Sequence, residues 1–167
     1  MPDSASSIVL NTSPLIALSA ALGSLDVLRE LYSSVYVPRE VEEELFAGRN
    51  DKIGIREFSQ ASFIHKLTNY QEIDAVMSLS LDRGESAVLQ YAINHKVELV
   101  GIDEIAGRRF AKIYGIKFTG SLGILIKAYQ KGMITNMEKP IENMRKSGIW
   151  ISEQLVSKVI FMANKGK

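Results

Sequence analysis

The sequence predicts an α/β fold, namely a three-layer α/β/α sandwich around a central, mostly parallel sheet of about five strands. Short apolar runs rich in β-branched residues alternate with longer segments whose apolar residues recur at helical spacing. Strands that alternate with helices favour parallel pairing through helical crossovers. The chain has 167 residues, of which 46% are hydrophobic, and this is enough for one domain with a sizeable core. We therefore expect a single domain over 1–167, with a helical extension from about residue 133.

The first strand and the turn after it define the predicted centre of the fold. Residues 8–10 form an apolar run that predicts a buried strand, and Pro14 is typical of a first helical turn. Ser13 is the predicted N-cap, because its hydroxyl can accept from a free helix N–H. Ligands of α/β sheets bind at the carboxyl ends of the strands. We therefore expect Asn11, Thr12 and Ser13 to face a functional crevice.

The rest of the chain continues the alternation of strands and helices. Apolar runs predict four further strands, at 35–37, 63–67, 98–102 and 116–119. Helical spacing predicts helices at 25–32, 39–47, 70–79, 82–94, 104–114, 122–131, 137–146 and 152–162. The polar stretch 49–61 is assigned to a loop and a short helix. Asp82 is a predicted cap, and Ile105, Phe110 and Ile113 are predicted to face the core.

Composition narrows the classes of function. The chain has no cysteine, which excludes disulfides and thiolate metal sites. Its two histidines are too few for a histidine-based zinc site without many carboxylates. The P-loop, GxGxxG, GxSxG and HExxH motifs are missing, which argues against nucleotide-dependent or serine-nucleophile chemistry. The net charge of +1 argues weakly against a strong general nucleic-acid binder, although a local basic face is compatible with it.

The sequence also leads us to expect a cytoplasmic protein that does not associate with membranes. The first residues lack the basic flank and long apolar run of a signal peptide. No apolar run approaches the length of a membrane span.

Acidic and amide residues fall at predicted strand ends or near the starts of helices. Asn11 ends the first strand and Asp103 ends the fourth, while Glu44 and Glu85 lie on helices next to the sheet. Parallel strands bring these positions to one crevice. Oxygen ligands without histidine or cysteine suit Mg²⁺ or Mn²⁺, and such an ion can activate water and stabilise charge on a phosphodiester.

Each of these residues also has a structural interpretation. Asp103 could be the N-cap of the following helix, and Glu85 could complement a helix dipole. The run 42–44 could be a solvated helix face. A basic cluster on the helix after the fourth strand is either ordinary surface or a set of phosphate contacts; its members are Arg108, Arg109 and Lys112.

Five stretches, taken in order, carry a resemblance to a known family. They are VLNTSPLIAL (9–18), VPREVEEEL (37–45), LDRGESA (81–87), IDEIAGRR (102–109) and TGSLG (119–123), and GIWIS (148–152) follows them. The chain resembles the PIN-like family of short prokaryotic proteins, which are predicted nucleic-acid-binding proteins related to the VapC-type toxin ribonucleases. The resemblance covers nearly the whole chain.

The resemblance implies a PIN fold with an acidic Mg²⁺ or Mn²⁺ site that hydrolyses RNA. Glu44, Glu85 and Asp103 match the family's acids, and Thr12 matches its small hydroxyl residue. The family usually has Asp where this chain has Asn11. A carboxamide oxygen can still bind Mg²⁺, but it brings no charge. The implied metal ligands are Asp103, Glu85 and Asn11.

Three functional hypotheses follow. The first is a metal-dependent endoribonuclease, as the toxin of a toxin–antitoxin pair, with RNA, an antitoxin protein and a second copy of the chain as partners. The second, motivated by Asn11, is a catalytically weakened PIN-like module that binds RNA or a protein. The third is a small-molecule or nucleotide-binding domain of flavodoxin-like shape, which the fold alone would permit.

Overall fold

A five-stranded, all-parallel sheet forms the centre of the molecule. The computed structural model describes residues 6–48 and 52–166. The strands are β1 (Ile8–Leu10), β2 (Val35–Val37), β3 (Ile64–Lys66), β4 (Leu99–Gly101) and β5 (Lys117–Thr119). Their order across the sheet is β3-β2-β1-β4-β5, so β3 and β5 are the edge strands. Because every pair is parallel, all five carboxyl ends meet at one edge, which we call the carboxyl edge.

Helices connect the strands and cover the sheet. They are α1 (Thr12–Leu22), α2 (Asp26–Leu31), α3 (Arg39–Ala47), α4 (Ile55–Gln60), α5 (Ala75–Ser80), α6 (Arg83–His95), α7 (Ile105–Ile113), α8 (Ser121–Gln130), α9 (Glu138–Lys146) and α10 (Glu153–Lys165). The predicted three-layer α/β sandwich is confirmed. Within the ranges that the structure describes, no helix is long and apolar enough to span a membrane.

The central strand lies in the middle of one continuous apolar core. All three residues of β1 are fully buried, because β1 has a strand on each side. Helix α1 packs against α3, α8 and α9, and α8 packs against α10. The C-terminal helices contribute Ile141, Met144 and Val159 to the same core as the sheet. The segment after residue 133 therefore packs directly onto the helices that cover the sheet.

Helix α7 differs from its sequence interpretation in the face that it buries. Ile105 and Ile113 are 68% and 75% exposed, whereas Gly107 and Ala111 are buried. A Cβ at Gly107 would lie 2.9 Å from Ile102 Cγ2, so α7 approaches the end of β4 too closely for a large side chain. Of the three residues predicted to face inward, only Phe110 packs against the core.

The predicted helix caps are confirmed at one site and wrong at another. Asp82 caps α6 as predicted, and its Oδ1 accepts from the Glu85 N–H at 2.8 Å. Ser13 is not the cap of α1, because the helix already begins at Thr12 and Asn11 occupies the capping position without a side-chain bond to the helix. The Ser13 hydroxyl instead donates to the carboxylate of Glu104.

Candidate active site

The polar residues at the carboxyl edge come from four neighbouring elements. Asn11 follows β1, Asp103 and Glu104 follow β4, Glu44 lies on α3 and Glu85 lies on the first turn of α6. The sheet order places β1 beside β4, and α6 packs against both α3 and α7. The topology thus brings the predicted acids to one crevice.

Asn11 is held in one orientation by a neighbouring carboxylate. Its side chain is only 2% exposed, and its Nδ2 donates to Glu104 Oε2 at 3.3 Å. Ionised carboxylate oxygens only accept hydrogen bonds, so Glu104 selects the amide nitrogen. Asn11 Oδ1 therefore points the other way, and this buried atom has no hydrogen-bond partner among the described residues.

Gly84 provides the space into which this oxygen points. A Cβ at Gly84 would lie 3.0 Å from Asn11 Oδ1 and 3.6 Å from Asp82 Oδ1, and it would collide with Glu44 Oε2. Three oxygen atoms from three elements thus face the space above one glycine. A buried amide oxygen without a donor in such a place is a favourable partner for a cation.

Glu85 is hydrogen-bonded to the start of its own helix, and its surroundings still disfavour the charged form of its carboxyl group. It is 4% exposed, and its Oε2 accepts from the Asp82 N–H at 3.2 Å. Burial raises its pKa, and the negative charges of Asp82 and Glu104 raise it further, while backbone groups of Asp82 and Gly107 act in the opposite direction. The reciprocal bonds with Asp82 form a capping box, so Glu85 does support the helix end, as its structural interpretation supposed.

Asp103 caps a helix, but not the helix that follows it. Its Oδ1 accepts from the N–H of Ser121 at 2.8 Å and from the Ser121 hydroxyl at 3.2 Å, at the first residue of α8. Arg108 Nη2 lies 3.8 Å from the same oxygen. Burial raises the pKa of Asp103 and the charge of Glu104 adds to the rise, against the bonds from Ser121 and the charge of Arg108.

Glu44 stands at the exposed rim of the crevice. Partial desolvation raises its pKa, and the negative charges of Asp82 and Glu104 add to this effect. The Thr12 hydroxyl acts in the opposite direction, which places this predicted supporting residue beside the Glu44 carboxyl. The rest of the run 42–44 does not share one environment, since Glu43 forms a surface cluster with Arg39, Tyr70 and Arg83.

Glu104 is the site residue that the sequence reasoning missed. Its charge raises the pKa of Glu44, Glu85 and Asp103, and it accepts hydrogen bonds from both Asn11 and Ser13. The sequence pattern assigns it only to the first position of a helix over 104–114. The available signal was its place as a second acid directly after a strand end.

The predicted phosphate-contacting residues do not form one surface. Arg108 turns toward the sheet, where its Nε donates to the Ile102 carbonyl at 2.8 Å and its guanidinium lies over the ring of Phe118. Arg109 and Lys112 are exposed on α7. Arg108 is half-buried, so only Arg109 and Lys112 are exposed candidates for phosphate contacts.

The carboxylates do not form a complete set of metal ligands by themselves. In the part of the chain that the structure describes, no three His, Cys, Asp or Glu side chains are arranged to hold a metal ion together. Glu85 and Asp103 are each engaged through one oxygen, since Glu85 Oε2 accepts from Asp82 and Asp103 Oδ1 accepts from Ser121. A cation site at this edge therefore depends on Asn11 Oδ1 as well.

Comparison with known families decides the relationship of the chain. A family model described as DUF3368, PIN domain, matches residues 7–165. The chain belongs to this PIN domain family. The resemblance to PIN-like proteins is thereby confirmed, while the closer relation to VapC-type toxins stays a prediction. No curated protein matches the sequence significantly. PIN domains have a nuclease-type fold and generally use divalent metals.

Proposed function

We propose that the protein is a metal-dependent endoribonuclease whose site is the crevice at the carboxyl edge. The observation that carries the proposal is the group formed by Asn11, Glu44, Glu85 and Asp103 in a PIN domain. The pKa of each of the three acids is raised, and the amide oxygen is buried without a donor among the described residues. Negative charge that its surroundings do not balance favours a bound cation.

The residues fit Mg²⁺ or Mn²⁺ in the chemistry of their donor atoms. All four are oxygen donors, and Asn11 Oδ1 and Glu44 Oε2 both lie close to Gly84, where a Cβ would meet them. Hard divalent cations prefer such ligands. We assign Asn11, Glu85 and Asp103 to metal binding, and Glu44, Glu85 and Asp103 to catalysis. When bound, the ion would supply an activated water and neutralise charge on the phosphodiester.

The surrounding residues orient these oxygen atoms. Glu104 turns the Asn11 amide so that its oxygen faces the crevice, and Ser13 fixes Glu104 in turn. Ser121 holds Asp103, and Thr12 accompanies Glu44. Metal sites depend on such supporting contacts nearly as much as on the ligands themselves.

RNA phosphates would approach over α7, where Arg109 and Lys112 are exposed. Arg108, with its guanidinium half-buried beside Asp103, would contact a phosphate at the site itself. The proposal extends to a cytoplasmic toxin that forms a homodimer and is restrained by an antitoxin protein. A neighbouring gene encoding a small antitoxin would support that extension.

A cleavage assay tests the proposal. We expect the purified protein to cut single-stranded RNA internally with Mn²⁺ and to stop when EDTA is added. Asp103→Asn removes a charged ligand but keeps an acceptor for Ser121, so cleavage should fall about 100-fold while the fold survives. Glu98→Gln, at the opposite end of β4, is the matched control. RNA left uncut by the wild type, with no gain from Asn11→Asp, would contradict the proposal.

The second candidate is a weakened PIN module that binds RNA or a protein without cutting. Asn11 favours it, because a neutral amide replaces a charged ligand. The engagement of Glu85 and Asp103 in structural bonds favours it as well. RNA that binds but stays uncut at saturating Mn²⁺ would support this candidate over the nuclease.

A further inference from the structure

A cavity of about 550 Å³ opens beside the candidate active site. It lies between α8, α10 and the segment before α10, and Asp103 and Ser121 form part of its wall. The same two residues are joined by hydrogen bonds in the crevice. The cavity therefore shares Asp103 with the crevice where we expect a phosphodiester to be cut, and its size is that of a small-ligand site.

The wall of the cavity carries aromatic rings that are open to solvent. Trp150, the only tryptophan of the chain, is 85% exposed, and Phe118 is 41% exposed. A tryptophan exposed to this degree loses the large stabilisation that burial of its ring would bring. At the mouth of a cavity next to the proposed catalytic crevice, the exposed ring is available for stacking by a planar group of a ligand.

Two cations also line the cavity. The Arg108 guanidinium lies 5.5 Å from the centre of the Phe118 ring, and Lys158 of α10 belongs to the wall as well. Aromatic rings interleaved with positive charge are the usual platform for unpaired nucleotides, because bases stack on the rings while the phosphates pair with the cations. A purely apolar partner would leave the exposed ammonium of Lys158 without a complement.

We propose that this cavity binds an unpaired nucleobase next to the bond that is cut, with Trp150 as its stacking surface. The inference rests on the proposed nuclease function and adds a base-binding subsite beside its crevice. A base in duplex RNA is stacked and paired, so it cannot enter the cavity without being extruded. The occupant is defined by its flat ring and the adjoining phosphate, and no particular base is selected by the residues named above.

The fluorescence of Trp150 reports occupancy directly, since no other tryptophan contributes. The wild-type protein is titrated in EDTA, which prevents cleavage, with a short single-stranded RNA, the same strand carrying abasic positions, and a duplex of the same sequence. We expect quenching by the single strand and much weaker quenching by the other two. Anisotropy of labelled RNA should show binding about tenfold weaker in Trp150→Ala, with partial recovery in Trp150→Phe.

Phe161→Ala is the matched control, because Phe161 is 68% exposed on α10 and does not line the cavity. It should bind RNA as the wild type does. Equal quenching by abasic RNA, or unchanged binding in Trp150→Ala, overturns the inference. So does a fluorescence change with protein concentration alone, which would mean that a second copy covers the ring. Cleavage without quenching contradicts base binding in the cavity but leaves the nuclease proposal standing. Quenching without cleavage supports base binding in the cavity but contradicts the nuclease proposal.

Discussion

Asn11 is the residue on which the functional interpretation depends. A neutral amide contributes no charge to a metal site, so the sequence alone suggests a weakened centre. The structure adds that Glu104 lies beside the amide and binds its nitrogen. A carboxyl group that is missing at position 11 is thus present in Glu104, which contacts Asn11, and the amide oxygen is turned toward the crevice.

Removal of Glu104 should therefore weaken metal binding although Glu104 is not assigned as a ligand. In Glu104→Ala the amide of Asn11 is free to turn, and the crevice loses one negative charge. We expect Mn²⁺ affinity, measured by calorimetric titration, to fall about 10- to 100-fold. Glu98→Ala removes an exposed acid from the other end of β4 and should leave the affinity unchanged. Equal affinities in the two variants would contradict the role given to Glu104.

An exchange of groups between positions 11 and 104 tests the same arrangement in the opposite direction. In Asn11→Asp alone, two carboxylates face each other in a buried place, so a gain in Mn²⁺ affinity should appear only at higher pH. In the double variant Asn11→Asp/Glu104→Gln, the new amide at position 104 can donate to the new carboxylate at position 11. We expect the double variant to bind Mn²⁺ at least as tightly as the wild type at neutral pH. Tighter binding at neutral pH by Asn11→Asp than by the double variant would disprove the pairing.

At the level of elements, the first turn of α6 forms the floor of the site. The capping box between Asp82 and Glu85 fixes the helix start, and the missing Cβ of Gly84 lets Asn11 Oδ1 and Glu44 Oε2 lie close to the helix backbone. Glycine is unfavourable inside a helix by roughly 0.5–1 kcal/mol relative to alanine. The glycine at position 84 therefore indicates that the Asn11 and Glu44 side chains require the space that a Cβ would take.

Gly84→Ala should weaken Mn²⁺ binding while it changes the thermal stability of the protein only slightly. The added methyl group fills the space that Asn11 Oδ1 and Glu44 Oε2 face, so Mn²⁺ affinity should fall at least tenfold. The helix gains propensity, which offsets the displacement of the flexible Glu44 side chain. We expect the circular dichroism spectrum to be retained and the Tm to change by only a few degrees. Unchanged Mn²⁺ binding would show that the ion does not use this space.

The order of elements followed from the sequence because strands and helices have different apolar periods. The fold class was predictable in this way, and the cap at Asp82 was predictable because Asp is a favoured residue at helix starts. The inner face of α7 was not, because periodicity cannot show that Gly107 allows close approach while Ile105 and Ile113 face solvent. The contacts of Glu104 with Asn11 and Ser13 were also out of reach, since they join residues about ninety positions apart.

For the whole molecule, the raised pKa values predict how pH affects stability and metal binding. Glu44, Glu85 and Asp103 titrate above their ordinary values of 4.5 and 3.8, so the metal-free folded state holds protons that the unfolded state has lost. These groups therefore raise the free energy of unfolding as pH falls through that window. Mn²⁺ requires the charged forms, so its stabilising effect should shrink over the same range.

Thermal unfolding with and without Mn²⁺ from pH 4 to 8 measures both effects, with pH values chosen around the ordinary carboxyl pKa. The double variant Glu44→Gln/Asp103→Asn is the control, because it lacks two of the three carboxyl groups whose pKa is raised. It keeps exposed ion pairs such as that of Glu142 with Lys146. The difference in Tm between wild type and variant should narrow as the pH falls. A constant difference would contradict the assignment of the raised pKa values.

The central claim is that the crevice binds a divalent cation although its first ligand is an amide. Calorimetric titration of the wild-type protein with Mn²⁺ at neutral pH tests this claim most directly. We expect one site with a dissociation constant in the micromolar range, weakened at least tenfold in Glu44→Gln and in Asp103→Asn. Wild-type binding no tighter than that of the Glu44→Gln/Asp103→Asn double variant would contradict the claim.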